Sequence, residues 1–167
     1  MLLNLSSILA APGASLTFET TVDLSEMTFG NCRPVTEPVT ASGRVRNTAG
    51  VLEMTGELAT TLHAVCDRCA AEFSRPVRQP IRATLVSAPE PDSYDDPWVF
   101  ALQDGCADLD DIVTTTFVLN MDSRLLCRED CKGLCCRCGK NLNDGPCGCT
   151  REPDPRFAAL QQLLHKS

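Results

Sequence analysis

The order of apolar and polar residues along this chain changes period twice. Residues 16–24, LTFETTVDL, alternate apolar and polar side chains with the period of two that a strand buried on one face requires. Three further runs behave in the same way: VTASGRVRN (39–47), GVLEMTGELATTLHAV (50–65) and AEFSRPVRQPIRATLV (71–86). The short polar stretch NTAG separates the first two of these and predicts a tight turn ending in Gly50. The simplest arrangement is an antiparallel meander, with Pro76 and Pro80 placing the last long run at a sheet edge or a bulge because neither can donate a ladder hydrogen bond.

Residues 88–97, APEPDSYDDP, are acidic and proline-rich without apolar periodicity and predict an exposed loop. WVFAL after it predicts a short strand, with Trp98 as a core plug. The period then shifts to that of a helix over about 108–121. Asp108 is its N-cap, Asp110 and Asp111 lie in the first turn, and Leu109, Ile112, Val113, Thr116, Phe117 and Met121 form one face. Near the end of the chain, Asp154 and Pro155 signal a helix start, and Phe157, Leu160, Leu163 and Leu164 give a short terminal helix its stripe. The expected fold class is α+β: an antiparallel, barrel-like meander with one packed helix, a cysteine-rich tail and a short C-terminal helix. The expected division is a β-rich domain over residues 1–126 and a metal-binding tail over 127–167.

With 167 residues, 43% hydrophobic and 22% charged, the chain has the composition of a globular protein, with an aliphatic core because aromatics are only 5%. No run approaches the eighteen apolar residues of a membrane span, and the opening MLLNLSSILAAPGASL has neither the basic start nor the continuous apolar stretch of a secretory signal. The expectation is a cytoplasmic protein with no membrane partner. The net charge of −7 argues against indiscriminate binding to nucleic acid. It is unevenly spread, however: residues 1–123 hold 7 Lys+Arg against 17 Asp+Glu, and residues 124–167 hold 8 against 5. Arg44, Arg46, Arg68, Arg75, Arg78 and Arg82 cluster within the strands, where a solvated, partly ion-paired surface is the ordinary explanation and a local basic face the alternative.

A reducing compartment changes the meaning of the eleven cysteines from a disulfide framework to metal ligands or free thiols. Eight fall in four close pairs: Cys66 and Cys69 between two strands, then Cys127 with Cys131, Cys135 with Cys138, and Cys147 with Cys149. A structural zinc ion takes four thiolates in a tetrahedron, and a Cys-x-x-Cys turn aims two sulfurs at one point. Gly139 after Cys138, and the Asn143-Asp144-Gly145-Pro146 turn, allow Cys135, Cys138, Cys147 and Cys149 to close a knuckle. Cys66, Cys69, Cys127 and Cys131 are then left to meet in space and staple the tail to the sheet. The competing partition builds one site from four of the seven tail cysteines and leaves Cys66 and Cys69 without metal. Cys136, Cys32 and Cys106 are expected bystanders, as are His63 and His165, neither of which has ligand spacing.

The sequence carries no phosphate-cradling glycine loop, nucleophile elbow or HExxH helix, and all-cysteine ligation is the pattern of structural rather than catalytic zinc. A non-enzyme without a small-molecule substrate is the expectation. Arg68, Arg128, Lys132, Arg137 and Lys140 surround the thiols and are candidates for phosphate contact. A protein-interaction module is the first alternative and a thiol redox sensor the second.

VCDRCAAEFSRPV (65–77) and CREDCKGLCCRCGKNLNDGPCGC (127–149), followed by DPRFAALQQLL, resemble the mid-chain signature and long tail of the bacterial YceD family. LNLSSILAAPGASLTFE and DLDDIV fit that family in order, so the resemblance covers nearly the whole chain. It implies a non-catalytic cytoplasmic factor needed for 23S ribosomal RNA to accumulate, with precursor rRNA or a large-subunit ribosomal protein as partner. Family members without most tail cysteines keep the mid-chain pair and a cysteine near the position of Cys131. This implies one site from Cys66, Cys69, Cys127 and Cys131 and an optional second in the knuckle. Cys136, Asp122 and Leu125 depart from the family by standing where prolines are common.

Overall fold

The computed structural model describes residues 1–30, 32–87 and 96–149. A five-stranded sheet, in the order β2-β3-β4-β5-β6, runs through β2 (Ser15–Val22), β3 (Val39–Thr48), β4 (Val51–Val65), β5 (Glu72–Val86) and β6 (Val99–Ala101). The first four form the antiparallel meander that the alternation predicts, and β6 lies parallel to the end of β5. Because β6 pairs only with residues Thr84 to Val86, most of β5 is a free edge, where Pro76 and Pro80 cost no ladder bond on the outer side.

Local chemistry sets the two long hairpins. Thr48 pairs with Val51, so the first turn is the dipeptide Ala49-Gly50, with φ of 54° and 98°. Two positive φ angles match the twist of the flanking strands, and Gly50 adopts its angle without strain. Asn47 is buried there and donates to the carbonyls of Ile8 and Leu9 at 2.7 and 3.0 Å while its Oδ1 accepts from Gly50. That one amide fixes α1 (Ser6–Leu9) against the hairpin. Further along, Gly43 and Gly56 face each other in register, and the backbones approach so closely that a Cβ on Gly43 would stand 2.3 Å from the Thr55 carbonyl oxygen. The second turn, between β4 and β5, carries Cys66 and Cys69.

The helix α2 (Leu109–Leu119) starts where expected. Asp108 caps it, accepting from the Asp110 N–H, and Leu109, Ile112, Val113, Thr116 and Phe117 are buried. They meet Phe18, Val45, Leu52, Leu58 and Ile81 of the sheet in one aliphatic core, and the Phe117 ring packs edge-on against Phe29 at 5.9 Å. Each fully buried Leu or Ile here contributes about 1.5–3 kcal/mol. A second, two-stranded sheet pairs β1 (Leu2–Asn4) with β7 (Cys106–Asp108), which ties the chain's first residues to the helix start. Nothing in the alternation foreshadows that pairing, because three residues are too few to display a period.

Trp98 is a correction. It lies half-buried in the turn before β6, with its carbonyl accepting from Thr84, and not in the core, whose space is filled by aliphatic side chains. The terminal helix expected over residues 154–164 and most of the acidic 88–97 loop lie outside the described residues.

Candidate metal centres

Between β4 and β5 the chain turns through Cys66-Asp67-Arg68-Cys69-Ala70-Ala71. The Ala70 N–H donates to the Cys66 carbonyl at 2.9 Å, and the Cys66 N–H to the Ala71 carbonyl at 2.9 Å. In the tail, Cys135-Cys136-Arg137-Cys138-Gly139-Lys140 repeats this pattern: Gly139 N–H to the Cys135 carbonyl at 2.9 Å, and Cys135 N–H to the Lys140 carbonyl at 2.8 Å. The residue after the second cysteine has φ of 56° in one turn and 72° in the other. The chain therefore contains the same thiol-bearing turn twice. Beyond the two cysteines the copies share only the arginine between them, Arg68 and Arg137, and so little identity hid the repeat in the sequence.

Each turn meets a second pair. The sulfurs of Cys66, Cys69, Cys127 and Cys131 all lie within 4.8 Å of one another, and so do those of Cys135, Cys138, Cys147 and Cys149. The partition by chain reach is thus the one the fold adopts, and the alternative with an isolated Cys66 and Cys69 is not. In the first group Cys66 Sγ is 3.8 Å from Cys131 Sγ, and Cys69 Sγ is 3.7 Å from Cys127 Sγ. A disulfide needs about 2.05 Å. Four sulfurs at about 2.3 Å from a tetrahedral ion are separated by roughly 3.8 Å, so the spacing fits a thiolate-bound metal.

Electrostatics makes the same demand for a cation. Burial pushes the Cys66 thiol up, but backbone N–H groups of Cys127, Arg68 and Cys69 bring it down to about 6. Cys127 is pushed up to about 12, first by burial and then by the sulfurs of Cys66, Cys69 and Cys131. The knuckle shows the same split. Backbone N–H groups of Cys138 and Arg137 lower Cys135 to about 6, while the Cys138 sulfur and burial raise Cys149 to about 12. Four thiolates this close cannot all ionise at neutral pH unless positive charge stands among them.

The first group is embedded: Cys66, Cys69 and Cys131 are buried together, with Phe73, Leu126 and Cys127 packed on them. Asp67 holds the turn to the segment after α2, its Oδ2 accepting from the Leu125 N–H at 2.6 Å and its own N–H donating to the Leu125 carbonyl at 2.8 Å. Arg75 and Asp122 form an ion pair nearby. The knuckle is more open, with Cys138 and Cys149 exposed. Cys136 is exposed and outside both groups, and Cys32 and Cys106 stand apart. His63 bonds Ser74 at 2.7 Å. His165 lies outside the described residues.

The candidate cations divide. The Arg68 guanidinium donates to the carbonyls of Cys131 and Glu129 at 3.1 and 3.4 Å, and Lys140 Nζ to the Pro146 carbonyl at 3.0 Å. Both therefore close the sites from within, although their charge remains at the surface. Arg128 pairs with Asp130 at 3.4 Å. Lys132 and Arg137 are exposed. On the outer sheet face Arg44 and Arg82 flank Thr55 in register, and Arg78 pairs with Glu57 at 2.9 Å. Sequence reasoning missed Asp67 and Asn143. Asp67 sits inside a Cys-x-x-Cys, where a carboxylate is well placed to accept from a facing loop, and that position was the available signal.

The fold and site define a class: a small β-sheet protein whose tail folds around two four-sulfur sets close enough to hold a metal. The chain belongs to the family described as large ribosomal RNA subunit accumulation protein YceD, whose model matches residues 54–164. Similar proteins include the uncharacterized proteins Mb2951c of Mycobacterium bovis and Rv2926c of Mycobacterium tuberculosis, each 30% identical over 127 residues, which are 72% of this chain and 59% of the relative. The match thus spans less than two thirds of those relatives' length. No solved structure matches the chain.

Proposed function

We propose that this protein is a non-catalytic, zinc-binding factor that supports accumulation of large-subunit ribosomal RNA in the cytoplasm by contacting precursor 23S rRNA. The observation that supports it is the family match, whose span of residues 54–164 contains both cysteine groups. Cys66, Cys69, Cys127 and Cys131 would hold one ion and Cys135, Cys138, Cys147 and Cys149 the other. Bound zinc supplies cross-links and charge compensation there, and leaves no open coordination position for chemistry.

In this reading the residues around the sulfurs serve as a rigid cationic rim. Lys132 and Arg137 are its outer members, and Arg68, Arg128 and Lys140 add charge from positions already fixed by hydrogen bonds or an ion pair. Ordering them in advance lowers the entropic cost of phosphate contact. Four thiolates around one divalent ion leave about two negative charges at each site, so affinity for bare RNA is modest and falls steeply with salt.

Binding of the zinc-loaded protein to a precursor 23S rRNA fragment, measured across a salt series, tests this. Lys132→Glu with Arg137→Glu should weaken binding and flatten the slope, with Arg44→Glu and Arg82→Glu as the comparison on the sheet. A flat salt dependence in the native protein would remove RNA contact from the proposal. Zinc at two equivalents that resists alkylation would set aside the thiol-sensor alternative.

A second reading, contact with a large-subunit ribosomal protein, is favoured by one feature. A groove of about 760 Å³ beside Cys66 is lined by Phe29, Val65, Val118, Met121 and Leu125, with Asp67 and Asp122 among its carboxylates. An apolar cleft edged by acid suits a basic, partly apolar polypeptide. A partner that stays bound after nuclease digestion would favour it over RNA.

A further inference from the structure

Asn143 joins the two sulfur sets. It lies on the 3-10 turn at Leu142–Asp144, inside the knuckle loop between Cys138 and Cys147. Yet its Nδ2 donates to Cys131 Sγ of the other set at 3.3 Å, and its Oδ1 accepts from the Lys132 N–H at 2.8 Å. The amide is held from behind: Asn141 Oδ1 accepts from the Asn143 N–H at 3.0 Å and from Nδ2 at 2.8 Å. Two backbone bonds brace the connection. Leu142 N–H donates to the Gly133 carbonyl at 2.9 Å, and Leu134 N–H to the Arg68 carbonyl, between Cys66 and Cys69, at 3.1 Å. Gly133 has φ of 72°, and a Cβ there would stand 3.0 Å from the Arg68 carbonyl oxygen, so both backbone angle and space favour glycine.

We infer that Asn143 makes the two centres cooperative: a metal in the knuckle fixes the amide that orients and partly neutralises the Cys131 sulfur, so the first centre binds its ion more tightly. This rests on the reading that both sets hold metal, and adds that they do not load independently. The knuckle loop has no buried side chain of its own on the 3-10 turn. Without its ion, it must lose chain entropy to present Asn143; with its ion, that cost is already met. Outer-sphere hydrogen bonds to metal ligands are worth 10- to 100-fold in affinity, and linkage makes the effect mutual. The first centre should therefore hold the knuckle's ion more tightly in return.

The test uses the full chain. Its zinc-loaded form is titrated with a chromophoric chelator, and cadmium-113 resonances of the cadmium-loaded protein report each centre separately. The Asn143→Asp variant keeps the oxygen that accepts from Lys132 and removes the amide donor to sulfur. It should weaken the first centre by about 10- to 100-fold while its four cysteines stay intact. Cys147→Ser with Cys149→Ser, which disables the knuckle, should weaken the first centre by a similar factor, and adding Asn143→Asp to that background should cost little more. Asn143→Ala provides an uncharged check. An unchanged first centre in both variants, or losses that simply add, would overturn the coupling. Absence of tightly held metal from the native chain would instead overturn the reading beneath it.

Discussion

Replacing Gly139 by alanine puts a methyl group where nothing lies within 4 Å, so the substitution meets no steric obstacle. What it meets is the backbone: φ is 72°, a left-handed angle that costs an L-residue about 1–2 kcal/mol. The twin turn supplies the control, because Ala70 already carries that strain at φ of 56°. Glycine's extra freedom in the unfolded chain offsets roughly 0.5–1 kcal/mol of that strain in either direction, so Gly139→Ala should cost the knuckle about 0.5–1 kcal/mol net and Ala70→Gly should stabilise its turn by about the same amount. Where ordering a loop and binding its ion are one event, folding cost appears as lost metal affinity, about two- to fivefold for Gly139→Ala. Competition with a zinc chelator, with cadmium-113 spectra to assign the loss, measures it. An unaltered knuckle in Gly139→Ala, or a large loss in Ala70→Gly, would refute the equivalence of the two turns.

Gly43→Ala should behave quite differently, because its Cβ would stand 2.3 Å from the Thr55 oxygen and 2.7 Å from the Gly56 Cα, both backbone atoms. A loss of about 3 kcal/mol in urea unfolding is expected, at the upper end for overpacking, and a change under 1 kcal/mol would contradict the close crossing. Asp67→Ala should cost about 1–2 kcal/mol, reduced by solvent exposure, and should speed metal release from the first centre; unchanged release would show that the Leu125 contact does not hold the staple. Acid should release metal. At neutral pH the metal-free sets keep protons on Cys127 and Cys149, which titrate at about 12, so binding must displace them and affinity falls about tenfold or more for each unit of acidification. Below about 6, Cys66 and Cys135 also take protons and the fall steepens. A pH-independent affinity between 5 and 8 would contradict this. Chelation should leave the core amides of β3, β4 and α2 protected from hydrogen exchange while those of residues 127–149 lose protection; loss of both together would show that the sheet depends on the metal.

The long strands and α2 were legible because each runs through several periods, so the buried face shows in the letters: Leu52, Met54 and Leu58 on β4, Leu109, Ile112, Val113 and Phe117 on α2. The partition of eight cysteines was legible for a different reason: short connections restrict which pairs can converge. What the letters did not carry was anything made by two distant residues of ordinary type. The β1–β7 pairing joins residues 2–4 to 106–108, and the Asn143 contact to Cys131 depends on a turn geometry that any of several sequences could adopt. Trp98 was misplaced because size and apolarity argue for burial, whereas its position beside the sheet edge was already fixed by the parallel pairing of β6.

The tail's construction explains why its cations were hard to assign from sequence. Among described residues beyond 126, only Cys131 and Gly133 are buried, while Leu134 is 42% exposed, so the segment has no apolar core with which to offset the entropy of ordering it. Its order has to come from sulfur cross-links and polar contacts, and those contacts recruit the side chains nearest the sulfurs. Arg68 and Lys140 are drawn inward onto backbone carbonyls for this reason, the former across to the Cys127–Cys131 loop and the latter across the knuckle to Pro146. A basic residue beside a thiolate cluster is thus under two pressures, to close the loop and to meet a partner. Arg68 and Lys140, when truncated, should loosen metal before they weaken any complex, while Lys132 should do the reverse.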